Sequence, residues 1–233
     1  MKSLPSVCTL GGIVIIVTKR HEEVSAKASD KRFRASVQCS AYLMVKSTRY
    51  DRLVIRSVGL GMKAIIIYHT RFGNTERIAK SLEIGLKKAS GIQDVVCTNV
   101  RDVTAVDDDS LKEYDIICIG APTEGFSAPK PIKEFLGKLK RVNLAGKYGF
   151  AFDTKVDSKL SGSAAKFIEK ELKSQDLQIV APRESAIVFA LKEMGTITDA
   201  RLKEGEDKRF EQVGLQLGTA SVQNRSNISD MGQ

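Results

Sequence analysis

Seven consecutive residues of this 233-residue chain, His69-Thr70-Arg71-Phe72-Gly73-Asn74-Thr75, place hydroxyl groups, an amide and a glycine in one short turn. An apolar run precedes the turn and apolar residues at helical spacing follow it, so it joins a predicted strand to a predicted helix. The glycine lets the backbone approach a ligand, and free N–H groups at a helix start hold a phosphate without a cation. The turn therefore predicts a phosphate site. The alternative is an ordinary capped turn, in which Thr70 and Asn74 only satisfy helix N–H groups.

Two common nucleotide-binding motifs do not fit this turn. No Lys-Ser or Lys-Thr pair follows Gly73, so the turn is not a Walker A loop. The nearest approach to a dinucleotide glycine motif, Gly59-Leu-Gly61-Met-Lys-Ala64, precedes a predicted strand, whereas that motif follows one. The chain has only two histidines, so no Ser-His-Asp or Cys-His set can be assembled.

Strands and helices alternate on both sides of this turn. Apolar, β-branched runs predict strands at residues 64–68, 95–100, 115–119 and 148–152, and at 177–190, where Pro182 interrupts the run. Apolar residues at helical spacing predict helices around residues 78–89, 132–139, 165–172 and 210–217. This alternation predicts an α/β fold, a doubly wound parallel sheet with helices on both faces.

The segment from Ile66 to Leu82 resembles the N-terminal signature of the flavodoxin family. It carries the constrained positions of that signature, which are an aliphatic pair, Tyr68, Thr70, Gly73, Thr75, Ala79 and Leu82. The resemblance covers residues 62–218 and implies a flavodoxin-like five-stranded parallel sheet of order 2-1-3-4-5 in its short-chain form. It also implies that the cofactor is FMN, bound at the carboxyl ends of the strands.

The resemblance further implies that three loops contact FMN. The predicted contact residues are Thr70, Arg71, Phe72, Gly73, Asn74 and Thr75 in the first loop, Pro122, Thr123, Glu124, Gly125 and Phe126 in the second, and Asp153 and Thr154 in the third. In the second loop we expect Phe126 to stack on the flavin ring; the alternative is that it packs in the core. In the third loop, the alternative is a solvated loop with Asp153 exposed.

The predicted function is electron transfer through bound FMN, between redox partner proteins. Two departures from many flavodoxins complicate this prediction. The chain has no Trp to cover the flavin, and residues 62–218 carry a net charge of +2, whereas carriers of this kind are usually acidic. An aliphatic or open flavin face suits a second hypothesis, an NAD(P)H-dependent quinone reductase on the same fold. A third hypothesis is binding to nucleic acid or a membrane surface through the basic N-terminal segment.

That N-terminal segment, residues 1–61, holds 11 Lys and Arg against 4 Asp and Glu, which is most of the +9 charge of the chain. Three interpretations compete. It is a secretory signal without a cleavage site, a basic interaction arm, or translated sequence upstream of a start at Met62; we favour the last. No nucleic-acid binding is expected of residues 62–218. The polar residues 219–233 predict a disordered tail.

Three single residues complete the expectations. His69 is expected to be a solvent-facing turn histidine rather than a proton-transfer group. Cys97 and Cys118 fall in predicted central strands, which indicates buried, inert thiols. Because the chain has only four Cys and no apolar run of membrane-spanning length, we expect a cytoplasmic protein without a membrane span.

Overall fold

The computed structural model describes residues 6–10, 13–17, 61–102, 110–158, 161–193 and 196–231. The chain divides into two units, Met1–Val54 and Ile55–Gln233. In the first unit, strands β1 (Ser6–Leu10) and β2 (Ile13–Val17) pair in antiparallel fashion. The other residues up to 60 lie outside the described residues. The three interpretations of the N-terminal segment apply mainly to these residues.

The second unit alternates strands and helices as predicted. In chain order its elements are β3 (Met62–Tyr68), α1 (Asn74–Lys88), β4 (Ile92–Asn99), β5 (Ile116–Pro122), α2 (Lys130–Leu139), β6 (Tyr148–Val156), α3 (Ala164–Lys173), β7 (Gln178–Ile179), β8 (Glu184–Glu193), β9 (Thr196–Leu202) and α4 (Glu206–Met231). A short 3-10 turn, Ser110–Glu113, precedes β5.

The sheet has the order β4-β3-β5-β6-β8-β9, and β7 pairs with β6. The strands from β4 to β8 are parallel, which confirms the predicted order 2-1-3-4-5. Because parallel strands need crossover helices, this topology brings the carboxyl ends of β3, β5, β6 and β8 to one edge of the sheet. That edge carries the three predicted loops.

Two hydrophobic layers hold the helices against the sheet. Strand residues alternate between the layers with a period of two: Ile65 and Ile67 face one layer, and Ile66 faces the other. Apolar residues of α2 and α3 pack in the first layer, and those of α1 and α4 pack in the second. The helices therefore cover both faces, as the apolar spacing in the sequence predicts.

The prediction of five strands was too low. Pro182 interrupts the last strand region, as expected, and leaves the two-residue β7 separate from β8. Residues 196–202 then return as β9, which pairs with β8 in antiparallel fashion. These residues mix polar and apolar side chains and have no run long enough to indicate a strand, because an edge strand is partly exposed to solvent.

The prediction of a disordered tail from residue 219 was also wrong, because α4 continues to Met231. Ser221 is fully buried, and Val222 packs against the second hydrophobic layer beside Gly91. Arg225 pairs with Asp115 at 3.3 Å. Packing on the domain thus stabilises a polar sequence as a helix. Among the described residues, no helix combines the length and apolar character that a membrane span requires.

Candidate functional site

A cavity lies at the carboxyl edge of the sheet, between the three predicted loops and the hairpin formed by β8 and β9. The hairpin supplies an aliphatic wall, and the loops supply most of the polar groups. The lining residues are Thr70, Arg71, Phe72, Asn74, Thr75, Pro122, Thr123, Glu124, Thr154, Lys155, Val156, Val188, Ala190, Ile197 and Ala200. Nine of the thirteen predicted contact residues are among them; Gly73, Gly125, Phe126 and Asp153 are not.

The start of α1 is open towards a ligand. Gly73 stands at the N-cap position with φ of 78°, a left-handed conformation that other residues adopt at a cost, and no side chain caps the helix. The hydroxyl oxygen of Thr70 is buried and has no hydrogen-bond partner among the described residues. Buried polar atoms are normally satisfied, so an unpartnered hydroxyl at an uncapped helix start fits a phosphate. The alternative of an ordinary capped turn does not fit these contacts.

Asn74 and Thr75 connect the first loop to other parts of the cavity wall. The side-chain amide of Asn74 donates a 2.7 Å hydrogen bond to the carbonyl oxygen of Ala200 in β9. The hydroxyl of Thr75 lies 2.9 Å from the hydroxyl of Thr154, at the end of β6, and both residues are buried. The first loop, residues 70–75, which we call the phosphate loop, is therefore joined to the hairpin by Asn74 and to the third loop by Thr75.

The second loop turns tightly at its tip. Glu124 and Ser127 exchange two backbone hydrogen bonds of 3.0 Å, and Gly125 and Phe126 between them both have positive φ, 52° and 66°. The Phe126 side chain is 72% exposed and lies outside the cavity lining, so it does not pack in the core. Stacking of Phe126 on a flavin stays a prediction.

A second aromatic residue does line the cavity. Phe72 lies in the first loop, and the guanidinium carbon of Arg71 is 5.0 Å from the centre of its ring. This distance is typical of a cation–π contact. From the sequence, stacking is expected of Phe126 alone, because the spacing of the loops does not show which ring faces the cavity.

Asp153 is a buried wall residue rather than part of a solvated loop. It lies within β6 and is completely buried. Its Oδ2 atom accepts hydrogen bonds from the Thr123 hydroxyl at 3.1 Å, the Ser163 hydroxyl at 2.7 Å and the Ala165 N–H at 2.9 Å. These contacts join the second loop to the start of α3. The Asp153 side chain does not line the cavity itself, but it accepts a hydrogen bond from Thr123, which does.

His69 is buried as well, with 6% of its surface exposed, which corrects the expectation of a solvent-facing side chain. Its backbone N–H donates to the Gly120 carbonyl, and its Nδ1 atom has no hydrogen-bond partner among the described residues. Burial, assisted by the positive charge of Arg101, lowers the pKa of His69, although Glu124 opposes the shift. These effects favour the neutral imidazole.

Cys118 is buried in the central strand β5, as expected, whereas Cys97 was wrongly placed: it lies in β4, an edge strand, and is only partly buried. Burial raises the pKa of Cys97 to about 12, and it raises the pKa of the fully buried Cys118 further still. Both thiols are therefore protonated at neutral pH. Among the described residues, no group of three or more His, Cys, Asp or Glu side chains is arranged to hold a metal ion.

Sequence reasoning missed six lining residues. Lys155 and Val156 continue the predicted third loop and could have been found by extending it. The other four, Val188, Ala190, Ile197 and Ala200, belong to the hairpin.

A bulge in β9 shapes the hairpin wall. In the ladder, Leu191 lies opposite Asp199 and Lys192 opposite Ile197, so Thr198 is an extra residue in β9. Such a bulge redirects side chains, which explains how Ile197 and Ala200, three residues apart, both face the cavity.

Comparison with known proteins agrees with this architecture. A sequence model of the flavodoxin domain matches residues 65–189, more than half of the chain. The chain therefore belongs to the flavodoxin family. Members of this family bind FMN, so the predicted cofactor is confirmed at the level of the family.

Two curated relatives share part of the sequence. A flavodoxin from Clostridium saccharobutylicum is 34% identical over 93 residues, which are 40% of this chain and 56% of that protein. A putative diflavin flavoprotein from Nostoc sp. is 28% identical over 159 residues, 63% of this chain and 26% of that protein. The chain thus spans about half or less of the length of these relatives.

Solved flavodoxins share the fold. One from the domain Archaea has a TM-score of 0.55 at 23% identity, over 69% of this chain and 99% of its own. Flavodoxin 1 from Bacillus cereus has a TM-score of 0.54 at 18% identity, over 66% of this chain and 96% of its own. At these identities the likeness supports the fold.

Proposed function

We propose that the domain formed by residues 62–231 carries electrons between redox partner proteins through FMN bound in the cavity. The observation that supports this proposal most directly is the start of α1, where the Thr70 hydroxyl is buried without a partner beside an uncapped helix end. A phosphate group would satisfy both features, because it accepts hydrogen bonds from hydroxyl and N–H groups and interacts favourably with the helix dipole.

The remaining walls suit the rest of the flavin. Thr123 and Thr154 supply hydroxyl groups at one side, and the β8–β9 hairpin supplies aliphatic side chains at the other. An apolar wall with a few polar groups is typical of cofactor sites. FMN, when bound, supplies the redox chemistry, and the protein holds and orients it.

Because the chain has no Trp, other side chains of the cavity wall would have to cover the flavin. Among the described lining residues, Phe72 is the single aromatic, and the hairpin contributes Val188, Ala190, Ile197 and Ala200 instead. Aliphatic side chains cover a flavin without the ring-to-ring contact that a Trp would add.

The test is an absorbance spectrum of the purified full chain, before and after addition of FMN, followed by stepwise reduction. Bound flavin with reversible reduction supports the proposal. Thr70→Val, which removes the unpartnered hydroxyl and keeps the volume, should weaken FMN binding about 12- to 150-fold, as for the loss of a hydrogen bond to a charged group. Thr98→Val, in β4 outside the cavity, is the matched control. A protein that takes up no FMN would end the proposal.

A second candidate function is an NAD(P)H-dependent quinone reductase. Arg71 and Lys155 both line the cavity, and neither forms a salt bridge with a described carboxylate. Two cations beside an apolar wall suit an anionic nicotinamide cofactor and a planar quinone. Rapid NAD(P)H oxidation that requires both FMN and a quinone would favour the enzyme; electron exchange with protein partners alone would favour the carrier.

A further inference from the structure

The side chain of Asn74 lies in the phosphate loop but is bonded to the opposite wall of the cavity. Its amide nitrogen is 2.7 Å from the carbonyl oxygen of Ala200, a residue 126 positions further along the chain. Ala200 lies directly opposite Ala190 in the β8–β9 ladder, and both residues line the cavity. The hydrogen bond therefore joins the loop that would hold the phosphate to the wall that would hold the apolar part of the cofactor.

Within the hairpin, β8 is attached to the sheet by its ladder with β6, whereas β9 has no such second strand partner among the described strands. β9 is an edge strand, paired with β8 alone among the described strands, and edge strands have one row of ladder hydrogen bonds instead of two. The bulge at Thr198 interrupts that single ladder close to Ala200. A hydrogen bond from the start of α1 thus adds a second attachment close to the interruption in the ladder.

Thr70 and Asn74, which lie in the same loop, differ in whether their side chains have a hydrogen-bond partner in the protein. The Thr70 hydroxyl is buried and unpartnered, so it is free to donate to a ligand. The Asn74 amide, in contrast, already has a partner in the protein, and that partner sets the orientation of the side chain. Thr70 and Asn74 therefore have different roles within one loop.

We propose that Asn74 is a positioning residue for the β8–β9 hairpin and acts on the part of FMN that riboflavin shares, whereas Thr70 acts on the phosphate. This inference rests on the proposed function, the binding of FMN in this cavity. It follows that removal of the Asn74 amide weakens FMN and riboflavin binding by the same factor. Removal of the Thr70 hydroxyl weakens FMN binding and leaves riboflavin binding unchanged.

The experiment measures dissociation constants of FMN and riboflavin for the full-length wild type, Asn74→Ala and Thr70→Val. For Asn74→Ala we expect both constants to rise about two- to twelvefold, as for the loss of one hydrogen bond, with their ratio within about twofold of the wild-type ratio. For Thr70→Val we expect the constant for FMN to rise and the ratio to change by the same factor.

A second measurement needs no cofactor. Amide hydrogen exchange of residues 196–202 in the cofactor-free protein should be faster in Asn74→Ala than in the wild type, and unchanged in Thr70→Val. The inference is overturned if Asn74→Ala weakens FMN binding alone, or if it leaves both affinities and the exchange of β9 unchanged. A wild type that binds riboflavin as tightly as FMN would contradict the Thr70 assignment, whereas a wild type that binds neither flavin would overturn the proposed function itself.

Discussion

The Oδ2 atom of Asp153 lies 2.7 Å from the hydroxyl oxygen of Ser163, and the same atom accepts hydrogen bonds from Thr123 and from the N–H of Ala165. One buried carboxylate oxygen therefore joins the end of β6, the second cofactor loop and the first turn of α3. A carboxylate at a helix start is favourably placed relative to the helix dipole. The contacts make Asp153 the residue on which the geometry of Thr123, a lining residue, depends.

Asp153→Ala should destabilise the domain by about 2–4 kcal/mol, because it leaves the buried Ala165 N–H and two partly buried hydroxyl groups without their acceptor. Ser163→Ala should cost about 1 kcal/mol, since it removes one of these donors and the side-chain cap of α3. Urea unfolding measures both. The exposed Asp157 supplies the control, and Asp157→Ala should change the free energy of unfolding little. Equal effects of Asp153→Ala and Asp157→Ala would contradict the structural role.

Gly85→Ala should destabilise the domain by about 1–3 kcal/mol. A Cβ at this position would overlap the carbonyl oxygen of Glu211 in α4, so α1 and α4 would have to move apart. Gly137, in the exposed face of α2, is the matched control, because a Cβ there meets nothing within 4 Å. Gly137→Ala should stabilise the protein by about 0.5–1 kcal/mol, owing to the higher helix propensity of alanine. Thermal unfolding should therefore shift in opposite directions for the two variants.

A chain that ends at Gly218 should be less stable than the full chain by about 2 kcal/mol or more, because it loses the packing of Val222 on the second hydrophobic layer and the ion pair of Arg225 with Asp115. Removal of residues 232–233 alone is the control and should have little effect. Unfolding in urea measures the difference. Equal stability of the two truncated chains would show that the last three turns of α4 contribute nothing.

His69 should make stability depend on pH near neutrality. Its pKa is lower in the folded protein than the ordinary value of about 6.5, so the unfolded chain binds the proton more tightly. The contribution of neutral His69 to the free energy of unfolding is therefore fully present above this ordinary value, and it is lost as the pH falls from that value towards the folded pKa. Urea unfolding between pH 5 and 8 should show this decline, and His69→Gln should flatten it. Parallel curves for wild type and variant would contradict the prediction.

Much of the fold could be predicted because its signals are local. Continuous apolar runs such as residues 64–68 indicate buried parallel strands, and apolar residues at helical spacing indicate the covering helices. The turn from His69 to Thr75 identified the start of α1 and its open N-terminus for the same reason. These features depend on neighbours within a few positions along the chain.

The hairpin and the C-terminal half of α4 could not be predicted in this way. β9 is an edge strand whose side chains divide between the cavity and solvent, so its sequence lacks the apolar run of a central strand. Residues 219–231 are polar, and they are helical because α1 and the start of β4 offer a surface for Ser221 and Val222. In both segments the stabilising contacts come from distant residues.

The amino-acid sequence by itself determined the alternation of strands and helices and the loop that would receive the phosphate, because each depends on a local pattern of residue types. The strand order was implied by the resemblance to the flavodoxin family, which that loop carries. The tertiary structure decided how those residues are used. It placed Asp153 behind the cavity, buried His69, turned Phe126 outward and bonded Asn74 to Ala200. These outcomes depend on which side chains are in contact at the carboxyl edge of the sheet. Such contacts form between residues that lie up to 126 positions apart in the sequence, so they follow from three-dimensional packing. Asn74, which the sequence indicates as a phosphate-loop residue, contacts the hairpin for this reason.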